Sequence, residues 1–332
     1  MTKQRISIFI GFVLAFVFMG LALQDADLKE VGRVLKKADA WLAVPLLASL
    51  GLFYWVKAIR WRILLSPLCQ TSARVVFPSM MIGFAANNVL PARLGELVRM
   101  YILGKQLDLP KGYVLATLVL ERIFDFLTVF CLVAIALLYG STLLPELEAA
   151  GYFIATLSFA LIVMVTIYAT FTDFTIKVFS ASTGFLPTSL QKRLIKQLEL
   201  GAFGFHSIKN LRFLIIICLT SIVQWVLLAL CFYIAMLATH IDVPWPAAFV
   251  LLGLIVAGLT LPGAPGFFGT VELCFTLALT PYHVGNDQAL AAAIFYHGWA
   301  YLSVTLLGIF LIHRMGYSFT QVSTQINSTE RK

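Results

Sequence analysis

Charge is what this sequence has least of. Among its 332 residues, 24 are Lys or Arg and 16 are Asp or Glu, so 12% are charged while 60% are hydrophobic. A soluble globular chain carries about a quarter charged residues, and this shortage sets water-soluble folds aside. The five cysteines, Cys69, Cys131, Cys218, Cys231 and Cys274, form no C-x-x-C pair, and most fall inside apolar runs. That spacing offers neither a disulfide framework nor a zinc site. The five histidines show no H-E-x-x-H and no clustered ligand spacing. No G-x4-G-K-[ST] loop occurs, so the chain has no nucleotide-binding motor of its own. The expectation is a protein without metal, cofactor or catalytic residue, and not an enzyme. The net charge is +8, but the basic residues stand in short clusters between apolar runs. That is the charge pattern of membrane topology, with no case for nucleic acid.

What the sequence has is length of apolar run, with a mean hydropathy of +0.92. Uninterrupted runs occupy 6–23, 41–59, 112–139, 151–171, 211–238 and 288–312. Each is long enough for a hydrocarbon core of about 30 Å. The first follows a basic flank, Lys3 and Arg5, lacks a small-x-small cleavage site, and is expected to be a retained span. Two further apolar regions are interrupted: 75–103 at NNVLPARLGE and 247–280 at LPGAPGFFG. Their halves are short for a full crossing, which predicts hairpins that enter and leave by one face. The expected fold is an all-α polytopic membrane protein: six full spans plus two re-entrant hairpins, or eight or more spans if the hairpins cross.

With the N-terminus in the cytoplasm, most Lys and Arg fall on the cytoplasmic side. The outer loops 140–150, 239–246 and 281–287 hold none. Lys57, Arg60 and Arg62, interleaved with Trp55 and Trp61, read as interface anchors near anionic lipid, or as residues that gather anionic headgroups. The exception on the outer side is 25–40, with Lys29, Arg33, Lys36 and Lys37. There Leu28, Val31, Leu35 and Ala38 recur at helical spacing, as on a surface amphipathic helix. The location implied is the cytoplasmic (inner) membrane, with both termini inside.

The order of elements repeats. Residues 1–140 run span, amphipathic segment, span, hairpin, span. Residues 141–332 run the same way, with a surface segment around Leu190, Leu194 and Leu198 and a short cytoplasmic tail. Three full spans per half reverse the second copy, which is the inverted repeat of many transporters. The breaks echo each other too: Pro91 then Gly95 and Glu96, and Pro265 then Gly269 and Glu272.

Polar groups in such a chain are expensive and therefore informative. A helix broken in hydrocarbon frees backbone groups that need protein or a wet cavity. Asn87 and Asn88 can satisfy such groups. Arg93 sits in the first turn of the restarted helix, whose positive dipole end suits an anion such as phosphate. Arg99 lies on another face and is expected to reach toward the cytoplasmic interface, while Glu96 can pair with Arg93 or Arg99. A structural plug of neutralised charges is the competing reading. In span 112–139, Glu121 and Asp125 share a face and Arg122 can pair with Asp125; they make either an internal salt bridge or the lining of a polar path. At the second break, Gly263, Gly266 and Gly269 permit tight turns, and Pro262 and Pro265 stop the preceding helix. Glu272 has no basic neighbour in sequence. It is a capping carboxylate or a proton-coupling one. His297 in the last span is an aromatic-packing residue or a proton relay.

NNVLPARLGELVR, ERIFD and PGAPGFFGTVE, in this order and spacing, resemble the transmembrane region of lysylphosphatidylglycerol synthases and their stand-alone, flippase-like relatives. The resemblance spans roughly 5–313 and is most specific at the first motif. It implies movement of anionic lipids, or of polyprenyl-phosphate and other lipid-linked carriers, between leaflets. It marks Asn88, Pro91, Arg93, Gly95, Glu96 and Arg99, with Glu121, Arg122, Asp125, Pro265, Gly266, Gly269 and Glu272, as motif positions. Of these, Asn88, Arg93, Glu96, Arg99, Gly266 and Gly269 are the expected substrate-binding residues, and Glu121, Arg122, Asp125 and Glu272 the expected polar path or proton-coupling residues. The chain ends at Lys332, soon after its last span, so no aminoacylation by this chain itself is expected. The expected function is flipping or scrambling of an anionic lipid. The alternatives are a non-transporting partner of a lipid-modifying enzyme and, behind it, a membrane enzyme acting on a lipid phosphate.

Overall fold

Apolar runs of this length hide their backbone polar groups by becoming helices, and the described residues contain no strand. The computed structural model describes residues 3–24, 26–90, 94–140, 148–183, 191, 195, 211–260 and 265–317. Pro91, Arg93, Pro262, Gly263 and the segment expected around Leu190, Leu194 and Leu198 lie outside the described residues.

Twelve α-helices are described: α1 Lys3–Leu23, α2 Leu28–Lys37, α3 Ala43–Leu65, α4 Ala73–Val89, α5 Gly95–Gln106, α6 Lys111–Gly140, α7 Glu148–Thr170, α8 Thr172–Ser182, α9 Leu211–Ala238, α10 Pro246–Gly258, α11 Thr270–Leu279 and α12 Asn286–Arg314. Three helical stretches, 40–65, 211–238 and 286–314, are long and apolar enough to cross a membrane. The pair α1 and α2, bent by 79° at their junction, is a fourth candidate if taken as one span. The 30-residue α6 is about 45 Å long. Large apolar side chains such as Phe16, Phe159, Leu306 and Phe310 point outward, as they do where the solvent is lipid. α8 was not expected as a separate helix.

The amphipathic prediction for 25–40 meets α2. Its N-cap Asp27 accepts the Lys29 N–H, and its buried Val31 packs on Leu290 and Ala291 of α12. The Asp287 carboxylate accepts the Asp27 N–H at 2.7 Å. Val31, Leu35 and Ala38 of the stripe are thus docked on protein, while Leu28 stays exposed.

Both interrupted regions are helix pairs. α4 and α5 are about 26 and 18 Å long, α10 and α11 about 20 and 15 Å. The chain doubles back at the first break, because Gly83 of α4 faces both Gly95 and Arg99 of α5. A Cβ on Gly95 would lie 2.1 Å from the Gly83 carbonyl oxygen, so these backbones touch only because neither residue has a side chain.

The packed interior divides in two. One apolar cluster joins Leu46, Leu50 and Phe53 of α3 to Val129 and Val133 of α6, Phe232 of α9 and Phe275 of α11. The other joins Trp61, Leu64 and Leu65 of α3 to Met80 and Ile82 of α4, Ile102 of α5 and Phe124 of α6. α3 runs through both, and the residues between its two apolar stretches are Lys57 and Arg60.

Candidate functional site at the junction of the two breaks

Lys57 and Arg60 are three apart on α3, and Glu121 and Asp125 four apart on α6, so each pair shares one helix face. The packing turns those faces toward each other. Lys57 Nζ lies 2.7 Å from Glu121 Oε1 and 3.2 Å from Asp125 Oδ2. Arg60 Nη2 lies 2.5 Å from Asp125 Oδ1. From α9, Gln224 Nε2 and the Trp225 indole N–H donate to the same Asp125 oxygen at 2.8 and 3.0 Å. Ser221 Oγ accepts from Arg60 at 2.7 Å. From α5, Arg99 Nη2 meets Glu121 Oε2 at 3.0 Å and lies over the Trp61 ring, 4.3 Å from its centroid. All five charged groups are buried. At the edge of this network Arg122 donates to Glu96 at 2.6 Å, both side chains being partly exposed.

Three expectations are corrected here. Lys57 and Arg60 are not interface anchors but the cationic half of a buried network. Arg99 does not reach for the cytoplasmic interface; it is 1% exposed and held by Glu121. Glu96 pairs with Arg122, twenty-six residues on, rather than with Arg99, while Arg93, its other expected partner, lies outside the described residues. The competing salt-bridge reading of Glu121 and Asp125 is met in part, with the bridges running between helices. Arg122 and Asp125 do approach, at 4.0 Å.

The first break is held by its asparagines. Asn87 Oδ1 accepts the freed Gly95 N–H at 2.8 Å, as its type and place predicted. Asn88 instead donates to Thr305 Oγ1 of α12 at 2.9 Å. The second break turns at Gly266 (φ 72°) and Gly269 (φ 83°). A Cβ on Gly266 would lie 2.6 Å from the Tyr301 ring. Glu272 caps the restarted helix, accepting the Gly269 N–H at 2.7 Å, and its other oxygen meets His297 Nδ1 at 2.7 Å. His297 Nε2 lies 2.8 Å from the Gly266 carbonyl.

Between the breaks lies a cavity of about 360 Å³. The first break contributes Asn87, Asn88 and Glu96; the second contributes Thr260, Gly266 and Phe267, and α12 adds His297. Lys57, Arg122 and Asp125 form its charged wall, and Phe53, Tyr54, Phe84, Trp225, Tyr296 and Tyr301 its aromatic ones. Arg99, Glu121 and Gly269 stand behind this lining, and Arg93 lies outside the described residues. Sequence reasoning singled out Lys57 and Arg60 but not their burial against Glu121 and Asp125, and it missed Ser221 and Gln224. The signal was there: two cations one turn apart in an apolar helix, and Ser221 and Gln224 one turn apart in the largely apolar run 211–238. Among the described residues no His, Cys, Asp and Glu group is arranged to hold a metal.

Comparison with known proteins agrees with this architecture. Residues 8–308 match the lysylphosphatidylglycerol synthase TM region. Glycosyltransferase AglD of Haloferax volcanii is 30% identical over 135 residues, 40% of this chain but 22% of AglD. The UPF0104 membrane protein MJ1595 of Methanocaldococcus jannaschii is 21% identical over 309 residues, 89% of this chain and 91% of that one. No solved structure matches. The family match covers both breaks, the buried ion network and the cavity between them, and the chain belongs to the lysylphosphatidylglycerol synthase transmembrane-region family.

Proposed function

We propose that this protein moves an anionic lipid, or a lipid-linked phosphate carrier, between the leaflets of the cytoplasmic membrane. The observation that carries the reading is the cavity where the two breaks meet. It has the size range of a small-molecule site, about 300–1,000 Å³. Its walls are aromatic; of the charges that line it, Lys57 and Arg122 balance Glu96 and Asp125, and the network behind them adds Arg60 and Arg99 against Glu121, one cation in excess. In this reading the headgroup phosphate exchanges hydration for Arg122 and Lys57, and the acyl or prenyl tails stay in lipid. The guanidinium of Arg122 is the better first contact, because it is partly exposed and can grip two oxygens at once.

Alternating access then comes from two inverted repeats, 1–140 and 141–332, rocking about the cavity. Support comes from the packing of the hairpins, which survives exchange of the halves. α4 packs on α12 as α10 packs on α6; α3 packs on α4 as α9 packs on α10. The equivalent helices α3 and α9 pair antiparallel, since Ser49 bonds to Leu227 while Cys231 bonds back to Leu46. Helices α4, α5, α10 and α11 are short for a full crossing, which supports re-entrant hairpins. Both termini are assigned to the cytoplasm on the basic-residue pattern.

The test is leaflet exchange in liposomes. Acyl-labelled phosphatidylglycerol and phosphatidylcholine would be followed by quenching of the outer leaflet. Exchange of the anionic lipid, slowed at least tenfold by Arg122→Ala with the fold intact, is the expected result. Rates equal to protein-free liposomes overturn the reading. A second reading is favoured by AglD, a protein named as a glycosyltransferase in which the matching region is a minority of the length. There, the membrane bundle serves a lipid-modifying enzyme. Activity that appears only with a co-purified enzyme supports that alternative.

A further inference from the structure

We propose that Glu272 and His297 form a proton-binding site, loaded and unloaded during the transport cycle. The argument is one of hydrogen-bond valence. A carbonyl oxygen only accepts, so His297 Nε2, 2.8 Å from the Gly266 oxygen, must carry its hydrogen. A neutral imidazole protonated at Nε2 presents a lone pair at Nδ1. That nitrogen lies 2.7 Å from Glu272 Oε1, and an ionised carboxylate also presents only lone pairs. The contact therefore contains a proton. Held on either atom, it makes the pair neutral as a whole. Glu272 cannot turn away without a second loss, because its other oxygen accepts the Gly269 N–H. Both side chains are at least nine-tenths buried.

Unloading moves that proton from between Nδ1 and Oε1 to water in the cavity, which His297 lines. No other bond changes, and the pair passes from neutral to one negative charge. Two lone pairs then face each other in a buried place, where an unmatched polar contact is costly. Opening of the contact frees the Gly266 carbonyl and with it the second break. The same face of α12 continues at Tyr301 and Thr305, each four residues on. Thr305 holds the Asn88 side chain, and the Tyr301 hydroxyl lies 3.5 Å from the Asn88 carbonyl. One stripe of α12 thus ties the proton site to both breaks.

The surroundings leave the assignment to this pair. On α11 Cys274 stands near Glu272. On α12 the neighbours are Tyr296, one residue away, and Tyr301, in ring contact with His297. α10 carries no titratable residue, and α1 contributes Ala15 and Met19 backbone. Across the cavity stand Lys57, Glu96, Arg122 and Asp125. A negative pair on this wall would repel an anionic headgroup in the cavity, so proton and anionic headgroup favour each other's binding, a reciprocal coupling. That last consequence rests on the lipid reading; the proton site does not.

Glu272→Gln is the decisive variant. Its amide oxygen accepts the Gly269 N–H and its NH2 donates to Nδ1, so every hydrogen bond of the loaded state persists without a titrating proton. Proton release by purified protein would be followed between about pH 5 and pH 9. The wild type is expected to release one proton more than Glu272→Gln. Difference infrared spectra would show the carboxylate signal only in the wild type. In liposomes, exchange of labelled phosphatidylglycerol by the wild type is expected to fall from acid to alkaline pH, and by Glu272→Gln to stay level. Equal proton release from the two proteins overturns the proton site. So does equal pH dependence of exchange, which leaves lipid movement standing. A proton lost in Glu272→Gln with no lipid exchange in either protein keeps the site and removes the lipid reading.

Discussion

Removing the anion from the buried network should cost far more than removing a cation, even where one contact joins them. Lys57 and Asp125 lie 3.2 Å apart, and each is 3% exposed. Asp125→Ala takes away the acceptor of four donors: Lys57, Arg60, Gln224 and Trp225. Arg60, wholly buried, keeps only Ser221 and a Glu121 oxygen 3.9 Å away. Stranding a buried charge in this way costs about 3–5 kcal/mol. Lys57→Met takes from Glu121 Oε1 its 2.7 Å partner and leaves Arg60 at 3.9 Å, but each carboxylate keeps another cation. Glu121 keeps Arg99 at 3.0 Å, and Asp125 keeps Arg60, Gln224 and Trp225. An apolar chain of similar volume then fills the site, and the surviving partners hold the loss below the about 3–5 kcal/mol of a buried charge left unpaired. The measurement is reversible unfolding in mixed detergent micelles, with helicity as the signal. The expected order is Asp125→Ala well below Lys57→Met, with Lys57→Met below wild type. Equal losses, or the larger loss in Lys57→Met, would refute the claim that the network carries a cation in excess.

Gly95→Ala should separate the arms of the first break, because the added carbon would sit 2.1 Å from the Gly83 oxygen. The loss should be at least the roughly 1–3 kcal/mol of an overpacked site, read as a lower melting temperature in detergent. Gly266→Ala should lower stability through both the positive φ of 72° and the Tyr301 ring 2.6 Å away; an unchanged melting temperature would show that this turn is not held against α12. Thr305→Val removes the acceptor of the Asn88 side chain and should cost about 1 kcal/mol in stability, with faster hydrogen exchange at residues 85–90 by mass spectrometry. Arg122→Ala, whose side chain is partly exposed and paired to Glu96, should leave the fold within about 1 kcal/mol while slowing anionic lipid exchange.

The two breaks were legible because Pro, Gly and Asn inside apolar runs are local events. NNVLPARLGE and LPGAPGFFG announce turns whatever packs around them, and Asn87 meets a freed backbone N–H of its own hairpin. Glu272 as a helix cap was legible for the same reason, its partner Gly269 lying three residues away. The network was not legible. Arg99 finds Glu121 twenty-two residues on, and Arg60 finds Ser221 one hundred and sixty-one residues on. A helical spacing says which residues share a face. It does not say which helix that face will meet.

By itself the sequence determined the solvent, the helical class and the places where helices break, because each follows from the composition of a short window of chain. Tertiary structure alone decided that Lys57 and Arg60 are interior, that His297 completes Glu272, and that the two breaks border one cavity. Those outcomes depend on which helices become neighbours, and burial settles that by pairing apolar surfaces far apart in the chain. The few charges then find partners wherever the packing has carried them.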